Sequence, residues 1–152
     1  MPRQLRLIRI EGDGDCFFNA VIQTARHHPH RGRHSGVTRL AGLTAQELRA
    51  ALCQPFSAMV ASDNETLLNL MAAERITAEQ IADLLPSEER RWDNVAVDIT
   101  PMLAAAEFEA RIHHVDQSGA AHDVGDDPAA AELVLFRDTT RHMEHYSARP
   151  RR

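Results

Sequence analysis

The sequence predicts an α+β domain in which helices flank a small β-sheet. Two observations lead there: the element order runs strand, helices, then strands, and the apolar spacing changes from helical to extended in the last third of the chain. With 152 residues, the chain is long enough for one proper core and too short for two ordinary domains. A single domain over residues 1–152 is expected, with its core at about 5–148.

Residues 5–10 partly alternate apolar with basic and predict a short strand. Glu11-Gly12-Asp13-Gly14-Asp15 then forces a turn. Cys16 opens a helical run to Arg26, with Phe17, Ala20, Val21 and Thr24 at helical spacing and Asp15 as a cap. Residues 27–43, rich in His, Arg and Gly, predict a loop. Thr44-Ala45-Gln46-Glu47 is a capping box ahead of Leu48, Leu52 and Cys53, and Pro55 should end or bend that helix. A further helix is expected over 63–75, and a second capping box at Thr77–Gln80 starts a short helix that stops at Pro86. Residues 95–107 read as mostly helical, with Pro101 near the first turn. Strands follow at Ala110–Val115, near His122–Val124, at Glu132–Phe136 and at Glu144–Ser147.

Composition narrows the function. The formal net charge is -5, which disfavours nucleic acid as a partner because such binding calls for a dense basic surface. The N-terminal segment, broken by Arg6 and Arg9, reads as neither a signal peptide nor a membrane span. Cys16 and Cys53 show no CxxC spacing, so two free thiols in a cytoplasmic or other reducing compartment are expected. Cys53, among Leu48, Leu52 and Phe56, reads as a core thiol, and Trp92 as a core anchor. His27, His28, His30 and His34 sit in a basic loop that reads as solvated surface able to meet an acidic patch rather than as a metal site. Glu88–Arg91 reads as a solvated helix end. No metal and no cofactor is expected.

A cysteine opening a helix is by default structural, but Cys16 has a particular setting. The helix N-terminus offers spare N–H groups and a partial positive charge, which favour thiolate over thiol. The two glycines before it let the backbone amides of Asp13, Gly14, Asp15 and Cys16 turn toward a developing oxyanion. A nucleophilic thiol also needs a base, and His145 follows the clearest buried strand by one short turn. An early Cys with a late His is one of the orders cysteine proteases use.

Gly12-Asp13-Gly14-Asp15-Cys16-Phe17-Phe18-Asn19-Ala20 resembles the Asp-Gly-Asn-Cys-Leu-Phe-Arg-Ala segment of the ovarian-tumour (OTU) family of cysteine proteases. His145-Tyr146 resembles that family's catalytic His and its aromatic neighbour, and Leu133–Phe136 the strand before it. Trp92, the helix near 95–107 and Arg111-Ile112-His113 look like the stretch between, so the resemblance spans roughly 5–148. It implies a papain-like OTU fold and a thiol-dependent deubiquitinase. Cys16 would be the nucleophile, His145 the base and acid, and Asp13 a member of the active-site loop. The implied partner is ubiquitin or a ubiquitin-like modifier, gripped in part by residues 44–91, with the enzyme expected to be a monomer.

Two positions depart from the family pattern. Asp15 stands where Asn usually precedes the Cys, and Ser147 stands where Asp or Asn usually orients the imidazole. The orienting group is therefore open among Asp13, Ser147, Asn19 and Asp138. A catalytically weak or inactive ubiquitin-binding module and a toxin-type cysteine hydrolase with another substrate are the alternatives. The Ala- and Arg-rich composition fits a bacterial effector, with host cytosol as its place if secreted.

Overall fold

The computed structural model describes residues 16–29, 31–86, 99–116, 118–125, 127–138 and 145–148. The expected strand at 5–10, the turn at 11–15, Glu88–Arg91 and Trp92 lie outside these residues. Six α-helices come first, α1 (Cys16–Arg26), α2 (Ser35–Ala41), α3 (Ala45–Ala61), α4 (Glu65–Glu74), α5 (Ala78–Leu84) and α6 (Ile99–Glu107), with a 3₁₀ turn at Arg31–Arg33. Four strands follow, β1 (Ala110–Asp116), β2 (Ala121–Val124), β3 (Ala131–Asp138) and β4 (His145–Ala148).

Local chemistry sets several of these boundaries. The Thr44 hydroxyl accepts from the Glu47 N–H at 3.2 Å, while the Thr44 N–H donates to the Glu47 carboxylate at 3.1 Å. Thr77 and Gln80 repeat the exchange at 3.2 and 2.9 Å and start α5. The Asn64 side chain accepts from the Leu67 N–H at 3.0 Å and starts α4, two residues later than the expected start at 63.

Two expectations are corrected. Residues 27–43 are not all loop, because α2 lies within them. It buries only Val37 and Leu40, an i, i+3 pair too short to display a period, and its N-cap His34 makes no side-chain capping bond. Pro55 does not end α3, which runs on to Ala61. An interior proline costs about 3 kcal/mol. Beyond it, Phe56 is buried and Met59 and Val60 pack partly buried against the core. Burying such side chains is worth about 1.5–3 kcal/mol each, enough to keep the helix running.

The sheet is mixed, in the order β2-β1-β3-β4. β1 and β3 are parallel, with Ile112 opposite Leu133, while β1–β2 and β3–β4 are antiparallel. Alternate residues of β1, Ala110, Ile112 and His114, are buried. Ala131, Leu133 and Leu135 of β3 join Ala110 and Ile112 in the core cluster with residues of α1 to α6. Val134 is buried as well, so β3 carries the continuous apolar run of a strand flanked on both sides. At Gly125, φ is +94° and a Cβ would stand 2.9 Å from the Ala110 carbonyl, so the turn between β2 and β3 needs glycine.

α2 comes close to the chain just past α6 at Gly36. A Cβ there would run into the Phe108 carbonyl, just past α6. Arg39, one turn along α2, donates to the Glu107 carbonyl at 2.9 Å and lies over the Phe108 ring at 4.8 Å. Gly36→Ala is therefore expected to lower stability by about 1–3 kcal/mol, through overpacking against backbone. Gly32→Ala, where a Cβ meets nothing within 4 Å, should stay within about 1 kcal/mol of the parent. Urea midpoints at constant slope measure both, and equal midpoints would show that α2 can move aside freely.

Candidate functional site

α1 is built to be held still. Phe17, Ala20, Val21 and Ala25 are fully buried and Phe18 and Ile22 nearly so. Phe17 and Phe18 meet edge to face at 5.5 Å between ring centroids. The Thr24 hydroxyl turns back to the Ala20 carbonyl at 2.8 Å, which satisfies it inside the apolar surroundings. Arg26, in the last turn, donates to the Ala41 carbonyl at 2.9 Å and the Leu43 carbonyl at 3.3 Å, tying the end of α1 to the end of α2. The helix packs against β4, β3, α2 and α3.

The sequence-predicted nucleophile and base each open an element. Cys16 is the first residue of α1, and His145 is the first residue of β4. α1 and β4 pack against each other, so the elements that begin with these two residues are neighbours. Ser147 lies in β4 opposite Phe136, and Asp138, the last residue of β3, lies opposite His145. Asn19 is half-buried on the first turn of α1. Asp13, Gly14 and Asp15 lie outside the described residues.

One residue beneath the site escaped the sequence reading. Arg49 of α3 is 1% exposed, and its guanidinium lies 4.3 Å from the centroid of the Phe18 ring. It also donates to the Leu85 carbonyl at 3.4 Å, at the C-terminal end of α5. A cation over a desolvated ring is worth about 2 kcal/mol or more, so Arg49 joins α1, α3 and the end of α5 by electrostatics as well as packing. The signal was present in its spacing: Arg49 adjoins Leu48 and stands three residues before Leu52 and seven before Phe56, on the apolar stripe of α3.

Cys53 is partly buried, and its thiol lies 3.4 Å from the Arg49 carbonyl. Burial pushes its pKa up by penalising the thiolate. That environment suits a packing thiol and not a nucleophile. His28 and His34 meet edge to face at 6.0 Å. Among the described residues no group of three or more His, Cys, Asp or Glu is placed to hold a metal ion. No helix among them is long and apolar enough to cross a membrane.

Among solved structures similar in fold to this chain are three whose alignments cover nearly all of it. An OTU deubiquitinase from Wolbachia pipientis wMel bound to ubiquitin aligns with a TM-score of 0.60 over 95% of this chain and 94% of its own, at 12% identity. A structure of an OTU deubiquitinase from the same source aligns at 0.59 over 97% and 89%, at 14% identity. The viral OTU domain protease from Dera Ghazi Khan virus aligns at 0.55 over 96% and 80%, at 13% identity. The fold is OTU-like. No family model and no curated protein matches the sequence. The expected α+β architecture, with helices about a small sheet, is thus the observed one.

The raised Cys53 pKa sets an outcome for thiol footprinting. The folded value lies above the unfolded one, so the thiolate is scarcer in the folded protein until the pH rises through the folded value. Mass-spectrometric alkylation rates at Cys53 should be slower in native protein than in urea-unfolded protein at pH 8, with the gap closing at higher pH. Equal rates at pH 8 would contradict the desolvated environment.

Proposed function

We propose that this chain is a cysteine-type deubiquitinase that cleaves the isopeptide bond at the C-terminus of ubiquitin or a ubiquitin-like modifier. The observation that carries the reading is the packing of α1, which opens at Cys16, against β4, which opens at His145. The OTU-like fold adds support, and one protein sharing it is a deubiquitinase crystallised with ubiquitin.

In this reading the N-terminal end of α1 favours the Cys16 thiolate. His145 takes the thiol proton, and sulfur attacks the carbonyl carbon of the modifier's terminal glycine. Amides of Asp13, Gly14, Asp15 and Cys16 hold the oxyanion. Each such donor is worth about 2.7–4 kcal/mol of barrier. The tetrahedral species collapses to a thioester as His145 returns the proton to the departing lysine amine. Water, deprotonated by His145, then hydrolyses the thioester and restores the thiol. The chemistry calls on no metal or cofactor. It does require a reduced Cys16, and therefore a reducing compartment.

Ser147, in the position where the resembling family carries Asp or Asn, favours a second reading, a binding module that has lost turnover. A ubiquitin probe with a C-terminal electrophile separates the two. The parent protein should be labelled at Cys16, and Cys16→Ala and His145→Ala should each abolish labelling. Binding of ubiquitin without labelling would decide for the module, and labelling by general thiol reagents alone would point to a hydrolase with another substrate.

A further inference from the structure

We infer that Asp138 is the positioning residue that orients the His145 imidazole, an inference that rests on the Cys16–His145 reading above. It follows from the strand register. In the antiparallel pairing of β3 with β4, Asp138 stands directly opposite His145, and Ser147 stands opposite Phe136, one step further along the ladder. Residues directly opposite in such a ladder have Cβ atoms about 4.5–5.5 Å apart. Residues two apart along one strand are separated by about 6.8 Å of rise. Register therefore puts the end of β3 nearer to His145 than Ser147 is.

Chemistry favours the same residue. An imidazole that serves as base needs one ring nitrogen free for the thiol proton and the other held as an N–H donor. A carboxylate accepts that N–H more strongly than a hydroxyl does, and it stabilises the imidazolium formed when the thiol ionises. An aspartate at the end of β3 supplies, from the neighbouring strand, the acceptor that Ser147 supplies only weakly. Asp138 touches neither substrate nor nucleophile in this scheme and acts through His145.

The test uses the rate of Cys16 alkylation by iodoacetate against pH, followed by peptide mass spectrometry. Iodoacetate is an anion, so its rate rises as the thiolate forms and falls again as the nearby imidazolium loses its proton. The two limbs belong to the coupled pair. A carboxylate beside the imidazole raises the basic limb, so Asp138→Ala should move that limb down by about 1 pH unit. Asp138→Asn, which keeps an acceptor without the charge, should also lower the limb but retain more turnover of a ubiquitin substrate than Asp138→Ala. With that substrate, Asp138→Ala should lower kcat at least tenfold with KM within twofold, and more than Asp13→Ala or Ser147→Ala does.

A basic limb unmoved in folded Asp138→Ala, or a larger shift in Ser147→Ala, would overturn this inference and leave the Cys16–His145 reading standing. A parent profile with no fall on the basic side, unchanged by His145→Ala, would overturn both together. Should Asp138→Ala fail to fold, the basic limb of Asp138→Asn decides in the same way.

Discussion

The near-complete burial of α1 is the constraint on which the rest of the arrangement depends. A helix whose apolar residues sit at or near zero exposure cannot slide or roll without opening voids in a close-packed interior. It packs against β3 and β4 of the sheet and against α2 and α3. Moving α1 therefore means moving the sheet edge that begins at His145. The α2–α6 contact at Gly36, the Arg26 bonds to the end of α2 and the Arg49 contact with Phe18 brace the same helix from different directions.

The two cysteines hold different positions along their helices. Cys16 opens a helix, where backbone N–H groups and the helix field favour negative charge. Cys53 lies in the middle of α3, next to the Arg49 carbonyl and partly out of water, where negative charge is penalised. In the proposed reading the same side-chain chemistry serves opposite tasks, set by position along a helix and by hydration. A site that depends on a thiolate gains from the contrast, because the second sulfur does not compete with the first at neutral pH.

Much of the helical frame was legible because its signals are local. The capping boxes at Thr44 and Thr77 each close within four residues, and the start of α1 at Cys16 is where the Gly-Asp-Gly-Asp stretch of the sequence ends. β1 and β3 were legible as largely apolar segments, and short strands were expected near β2 and β4. What escaped was decided by partners far away in sequence. α2 exists because Gly36 lets it press against Phe108, which a seven-residue segment cannot announce. Pro55 stays inside α3 because Phe56 and its neighbours have a core to enter. Asp138 could be named from the sequence only as one of several carboxylates or amides, since the pairing that sets it opposite His145 is a long-range property of the sheet. Arg49 was not singled out from the sequence, because its contacts, Phe18 and the Leu85 carbonyl, lie far away along the chain.

That enclosed guanidinium also governs how the fold can come apart. It bridges an aromatic ring of one helix and a carbonyl beyond another from a third. Peeling away α1 or α5 removes one of these contacts from a guanidinium that is 1% exposed, and breaking a contact of a buried charge is costly. Partial openings that separate these helices are disfavoured accordingly.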